Sequence, residues 1–224
     1  MIELPALNNP PLRRKAEKGI EEDLPSPMDP PEAYAPTTVE EIPYEFMAKP
    51  LQELMDDHEK FLKILTVFEN ALIELKKNTW HFTPEISAGL KGFFQAIDHE
   101  IARHTKREEK GLFLILAKKF LASGEHSPGE NPVTPVDVME ADHAQVEQTS
   151  ALVFNLLGLA PRLKDAESRN ILFENAFAQG QEIVETMKLH IYKENTTLFP
   201  LAQRLLSEAE MREIEKTNKE RNNE

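Results

Sequence analysis

The sequence contains no cysteine among its 224 residues. This excludes disulfides, thiolate zinc sites, cysteine-ligated iron–sulfur clusters and cysteine nucleophiles, so any metal ion must be held by nitrogen and oxygen. Long apolar runs are also missing: the longest covers residues 111–117, whereas a membrane-spanning helix needs about 20 residues. The N-terminus lacks the continuous apolar core of a secretion signal. We therefore expect a cytoplasmic protein with no membrane partner.

Positive charge is scarce as well. The chain has 26 Lys and Arg against 39 Asp and Glu, a formal net charge of −13. Because nucleic-acid binding depends on clustered cations, we expect no nucleic-acid partner. The composition, with 8 glycines and 40% hydrophobic residues, is ordinary for a folded helical protein. The sequence shows no Ser/His/Asp arrangement, phosphate-binding glycine loop or dinucleotide fingerprint, so no catalytic residue is assigned.

Proline is concentrated at one end of the chain. Nine of the 16 prolines lie in residues 1–44. Because proline fixes its own φ and disfavours helix in the residue before it, this composition predicts an extended or disordered N-terminal arm over residues 1–44. The pattern changes at residue 45, and residues 45–224 are predicted to form one folded domain.

Four series of residues at helical spacing follow the arm, and each predicts one long helix. Pro- and Gly-containing breaks at residues 78–84, 123–135 and 160–161 separate them. Ser207 and Glu210 have the spacing of a capping box, which predicts a short polar helix over residues 207–219. The four series are Leu51, Leu54, His58, Phe61, Leu65, Phe68, Leu72 and Leu75; Leu90, Phe94, Ile97, Ile101, His104, Glu108, Gly111 and Ile115; Val136, Met139, His143, Val146, Ser150, Val153 and Leu157; and Leu172, Ala176, Gln179, Ile183, Thr186, His190, Glu194, Thr197 and Leu201.

An internal repeat relates the two halves of this region. Residues 104–113 and 190–199 share the pattern His-x3-Glu-x3-Leu-Phe, and an Asp-His pair occurs at residues 57–58 and 142–143. The repeat predicts two similar helical hairpins packed together. The predicted fold class is therefore all-α, an up-down-up-down antiparallel four-helix bundle with a Pro-rich N-terminal arm and a short C-terminal helix.

Six ionisable residues lie on the faces that the pattern turns toward the core. A buried polar group without partners forfeits roughly 1–3 kcal/mol or more, so a bound cation pair explains this set economically. The His and Glu of each repeat are four residues apart and share one helix face about 6 Å apart along the axis. The candidate metal ligands are His58, His104, Glu108, His143, His190 and Glu194.

Counting ligands suggests the metal and its reactivity. Two bridging carboxylates, one bridging solvent and two imidazoles leave each ion five-coordinate, with a position open to a diatomic molecule or peroxide. Nitrogen-rich ligation with carboxylate bridges favours iron over manganese, while zinc remains an alternative.

These motifs resemble the hemerythrin-like, or HHE cation-binding, domain family. The matching pieces lie around His58, at His104 and Glu108, around His143, and in the stretch from His190, and they cover about residues 45–219. The resemblance implies a four-helix bundle in which the six candidate residues hold two iron ions, a non-haem di-iron centre with an oxo or hydroxo bridge. Members of the family carry or sense oxygen, respond to nitric oxide, process peroxide or take part in iron and iron–sulfur homeostasis.

Two positions depart from the oxygen-carrying members. Glu147 stands where they have a second histidine, and residue 195 is Asn where they have Asp. The ligand set is thus more similar to the nitrosative-stress and iron–sulfur repair branch. Glu147 could be a seventh ligand, although a salt bridge on a helix flank is its simpler role. We assign no metal to the remaining histidines, His81, His99 and His126.

The leading hypothesis is a di-iron protein that reacts with or senses oxygen, nitric oxide or peroxide. One alternative is a non-catalytic iron store or sensor that acts through a conformational change. Another is a bundle stabilised structurally by zinc. A ferritin-like fold is a weaker hypothesis than the hemerythrin-like one. That fold needs the motif Glu-x-x-His twice, and the sequence shows it once, at Glu140 and His143.

Overall fold

The computed structural model describes residues 42–129 and 131–221, the last three of these by their backbone alone. All regular elements in this part of the chain are helices. No described helix is long and apolar enough to cross a membrane. The arm predicted for residues 1–44 lies almost entirely outside the described residues. The α-helices are α1 (Lys49–Lys77), α2 (Pro84–Ala96), α3 (Ala102–Arg107), α4 (Phe113–Ser123), α5 (Pro135–Leu159), α6 (Ala166–Lys193), α7 (Phe199–Leu205) and α8 (Glu208–Arg221).

Three π-helical segments join some of these helices end to end. They are π1 (Ile97–Ile101), π2 (Glu108–Leu112) and π3 (Glu194–Leu198). Residues 84–123 therefore form one long helical segment that contains π1 and π2, and residues 166–205 form another that contains π3. With α1 and α5, the described residues contain four long helical segments, and the breaks between them lie near the predicted positions.

The helix starts follow from local capping chemistry. The side chain of Thr83 accepts a hydrogen bond from the Ile86 amide at the start of α2, and Thr134 forms a capping box with Asp137 at the start of α5. Such caps satisfy amides that have no partner inside the helix. Glu210 accepts hydrogen bonds from the amide and hydroxyl of Ser207 at 2.7 and 2.8 Å, which confirms the predicted capping box and short final helix.

The apolar side chains form two separate cores along the bundle. One core joins α1, α2, α5 and α6 around Phe68, Phe93 and Phe173. The other joins the N-terminal end of α1 to α4, α7 and α8 around Leu54, Phe120 and Phe199. Burial of a large apolar side chain stabilises the fold by about 1.5–3 kcal/mol. On each long segment, the candidate ligands have residues of the first core on one side and residues of the second core on the other.

The predicted second series is only partly correct in its middle, where the predicted side chains pack at the edge of the core. Phe93 and Ala96 are buried there, while Phe94, Ile97 and Ile101 are only partly buried. The π1 segment is the physical reason, because its wider turn rotates the residues before it relative to those after it. A π-helical turn contains about one residue more than an α-helical turn, and the sequence alone does not reveal where such a turn occurs.

The fourth predicted series is correct at some positions and shifted at others. Ala176, Ile183, His190, Glu194 and Thr197 are buried as predicted. At three positions the residue that follows the predicted one is buried instead: Phe173, Gly180 and Met187 are buried, whereas Leu172, Gln179 and Thr186 are partly exposed. A face wider than a single line of residues explains the shift, since this segment contacts both α1 and α5.

Close approach of α6 to α1 depends on Gly180. A Cβ at this position would overlap the Leu72 side chain, whereas one at Gly92 would meet open space. We expect Gly180→Ala to lower the free energy of unfolding by about 1 kcal/mol, since overpacking outweighs the gain in helix propensity. The matched change Gly92→Ala should instead raise it by roughly 0.5–1 kcal/mol. Urea denaturation of both variants tests the pair, and equal shifts would contradict the assigned packing.

Candidate metal centre

All six predicted ligand residues meet at one level of the bundle. His58 projects from α1, His104 from α3, His143 from α5 and His190 from α6, while Glu108 and Glu194 begin π2 and π3. Five of these side chains are buried, and both glutamates have 0% of their surface exposed. His143 is nearly buried, with 11% of its side chain exposed. The structure thus brings the six predicted ligand residues together.

The four imidazoles form two pairs. The Nε2 atoms of His58 and His104 are 3.0 Å apart, and those of His143 and His190 are also 3.0 Å apart. Two nitrogen ligands at right angles around one ion, each bonded at roughly 2.1 Å, lie about 3.0 Å apart. Each pair therefore has the spacing of two adjacent ligands on a single cation.

The two glutamates lie between the pairs. Glu108 Oε1 is 3.0 Å from His104 Nε2, and its Oε2 is 3.4 Å from His143 Nε2. Glu194 Oε2 is 3.1 Å from His58 Nε2 and 3.2 Å from His190 Nε2. Two potential metal-binding groups result, and both contain Glu108 and Glu194. This sharing is the arrangement needed for carboxylates that bridge two ions.

The carboxylate oxygens themselves indicate a cation. No hydrogen bond of good geometry reaches either oxygen of Glu108 or of Glu194 within the described part of the chain, although all four oxygens are buried. Their polar neighbours are imidazole nitrogens, which lie 3.0–3.4 Å from three of the four oxygens. Leaving buried carboxylates without partners costs several kcal/mol per group. Divalent cations would satisfy these oxygens and the imidazole lone pairs together, so the residues present fit a metal site.

In the centre without a cation, protons bound to the imidazoles balance part of the carboxylate charge. Burial alone would lower the pKa of His104, but the negative charge of Glu108 raises it to about 9. Burial would also lower the pKa of His190, but the negative charge of Glu194 raises it to about 10. Burial and Glu108 would raise the pKa of Glu194, yet contact with His190 holds it at about 2. The cation-free centre therefore pairs charged imidazoles with charged carboxylates.

The π segments explain how the Leu-Phe part of the repeat contributes. An extra residue per turn brings the residue five positions after each glutamate toward the same face of the helix. Phe113 stacks on the ring of His143 at 5.9 Å, and Phe199 stacks on His58 at 5.5 Å. Both phenylalanines have 0% of their surface exposed. These contacts fix the planes of two imidazole rings. The sequence pattern did not predict this role, although both phenylalanines belong to the internal repeat.

The remaining candidates lie elsewhere. His81, His99 and His126 are exposed and belong to neither potential metal-binding group. Glu147 is exposed and is likewise absent from both groups. Glu147 instead lines a cavity of about 800 Å³ between residues 94–110 and α5, and this cavity reaches His104, His143 and His190.

Fold and centre together define a helical protein with a candidate dinuclear cation site built from histidine and glutamate. The family model of the hemerythrin HHE cation binding domain matches residues 49–202, and the chain belongs to this family. The match includes all six candidate ligands and leaves α8 outside. Neither the curated proteins nor the solved structures gave a match to the chain.

Proposed function

We propose that this protein holds two iron ions on His58, His104, Glu108, His143, His190 and Glu194 and reacts with or senses a small ligand. The observation that carries the proposal is the convergence of four imidazole nitrogens and four buried carboxylate oxygens, none of which accepts a hydrogen bond of good geometry, between two apolar cores. Four nitrogen donors with carboxylate bridges suit iron. When bound, an iron pair would supply electrons and an open coordination position to oxygen, nitric oxide or peroxide.

We also propose that the four long segments form the up-down-up-down antiparallel bundle. Contacts between the first two segments join residue 58 to 104 and residue 68 to 93, so sequence position rises along one segment as it falls along the other. Residues 143 and 190 and residues 145 and 182 are related in the same way. An antiparallel hairpin produces this pattern.

The identity of the metal tests the central proposal. Anaerobic purification followed by metal analysis should give about two irons per chain, and addition of oxygen should produce charge-transfer absorption. A colourless protein that contains zinc and melts at a much lower temperature after chelation would support the zinc-stabilised alternative instead.

The small ligand would enter through the cavity beside α5. A water molecule has a share of about 30 Å³ in the liquid, so a cavity of about 800 Å³ is large enough to hold a diatomic molecule or peroxide. Its lining includes the apolar side chains of Phe94, Ile101 and Phe154 and three of the four imidazoles. This route connects solvent to the proposed open coordination positions.

We expect Ala151→Trp to slow this access several-fold, because residue 151 lines the cavity and indole would fill part of it. The reaction of the anaerobic, iron-loaded protein with nitric oxide, followed by stopped-flow absorption, measures the effect. Leu152→Trp is the matched control, since this neighbour is exposed and does not line the cavity. Iron content should stay unchanged in both variants, and equal rates would contradict the route.

The iron store or sensor that acts through a conformational change is a separate proposal. The loop at residues 124–134, between α4 and α5, is where such a change would be sought. Limited proteolysis with and without iron distinguishes the two, since identical cleavage patterns would count against the sensor.

A further inference from the structure

The outer nitrogens of the four imidazoles show a second level of organisation. Each Nδ1 faces a polar side chain that adjoins another ligand in the sequence. An aspartate that precedes one histidine of a pair contacts the other histidine of that pair. The residue that follows each glutamate contacts a histidine of the other repeat. The four contacts are Asp57 with His104, Asp142 with His190, Glu109 with His143, and Asn195 with His58.

The repeat is broken at one of these contacts. Glu109 and Asn195 occupy equivalent positions, each directly after a glutamate ligand. His143 Nδ1 lies 3.1 Å from a Glu109 carboxylate oxygen, whereas His58 Nδ1 lies 2.8 Å from the Asn195 amide oxygen. One imidazole is therefore supported by a negative charge and its counterpart by a neutral dipole.

The two aspartates differ in the same direction. Asp142 Oδ2 is 3.4 Å from His190 Nδ1, within hydrogen-bond distance, and Lys193 pairs with the same oxygen at 3.9 Å. Asp57 Oδ2 is 3.7 Å from His104 Nδ1. Arg107 makes a close ion pair with the same Asp57 oxygen, and Lys60 pairs with the other at 2.7 Å. Two cations thus compensate the charge of Asp57 that would otherwise support His104.

A carboxylate that accepts the outer N–H of a ligating histidine makes the inner nitrogen a better donor, and loss of such a partner typically costs 10–100-fold in metal affinity. We infer that the His143/His190 position binds its cation first and more tightly, and that the His58/His104 position is the weaker one because Asn195 and the compensated Asp57 support it less. Glu109 and Asn195 are then positioning residues that make the two cations unequal. This inference rests on the proposed dinuclear site.

Titration of the cation-free full-length protein with Co²⁺, in competition with a chromophoric chelator, measures both binding steps. We expect two steps whose dissociation constants differ by about 10–100-fold. His58→Ala should remove the weak step and leave the tight one, and His143→Ala should remove the tight step. These ligand variants assign each step to its histidine pair.

The positioning residues are then exchanged. Glu109→Gln should weaken only the tight step, by about 10-fold or more, and Asn195→Asp should strengthen only the weak step. Glu147→Gln is the matched control, because Glu147 lines the same cavity as Glu109 and belongs to neither potential metal-binding group. The separation of the two reduction potentials in the iron-loaded protein should shrink in both positioning variants, which loss of packing alone would not cause.

Each outcome decides the inference. Two cations that bind wild-type protein with equal affinity would overturn it while leaving the proposed function intact. Equal weakening of both steps by Glu109→Gln would also overturn it, since the support would then not be specific to one cation. Failure of the wild-type protein to bind any cation would overturn the proposed function and the inference together.

Discussion

Replacement of Glu108 with alanine is expected to reduce the cation content from two per chain to nearly none. Its two carboxylate oxygens face histidines of different pairs, His104 and His143. One substitution therefore removes a ligand atom from both potential metal-binding groups. Metal analysis after gel filtration measures the content, and circular dichroism verifies that the variant remains helical.

Comparison variants make the expected loss specific. His104→Ala removes a ligand from one group only, so it should retain about one cation per chain. His126→Ala should retain two, because this side chain is exposed and remote from the centre. Glu108→Gln keeps the volume of the side chain, and it should also lose both cations because an uncharged amide is a weak ligand. Full loading of either Glu108 variant would refute the bridging role.

The six candidate ligands could be predicted because burial of charge follows a simple rule. Residues such as His58 and Glu194 lie at core positions of a regular helical pattern, and ionisable groups are rarely buried without partners. The repeat at 86-residue spacing, from His104 to His190, indicated that they would meet at one level. Every one of these side chains reached the same centre.

The faces of the second helical segment could not be predicted in the same way. A regular period placed Phe94, Ile97 and Ile101 in the core, but π1 turns them toward the cavity. A π segment changes no residue type and leaves no reliable signal in one sequence. The supporting contacts of the outer nitrogens were missed for a related reason, since the distance between Asn195 and His58 depends on the packing of distant segments.

Proton release should accompany cation binding. In the cation-free protein the raised pKa values of His104 and His190, about 9 and 10, keep both rings protonated at pH 7. A cation needs the lone pair that each proton occupies, so binding of two cations displaces about two protons. The apparent affinity for each cation should then increase about tenfold per pH unit from pH 6 to 8.

Co²⁺ titrations at pH 6, 7 and 8, together with calorimetry in buffers of different ionisation enthalpy, measure this effect. An affinity that does not change with pH would show that the imidazoles are already neutral in the cation-free protein. His126→Ala should give the wild-type slope. Because His143 also has a raised pKa, set mainly by Glu108 against the effect of burial, a slope steeper than tenfold for one cation would identify it as a third displaced proton.

The same protons predict an opposite trend for the stability of the cation-free protein. A histidine whose pKa is raised by folding stabilises the native state fully below its ordinary value of about 6.5, and this contribution is lost as the pH rises through 9 and 10. The melting temperature of chelated protein should therefore fall between pH 7 and pH 10, while cation affinity rises over the lower part of that interval. A general alkaline weakening of the fold would lower both quantities together. Opposite signs in the two measurements thus indicate that protons and cations compete for the same imidazole nitrogens.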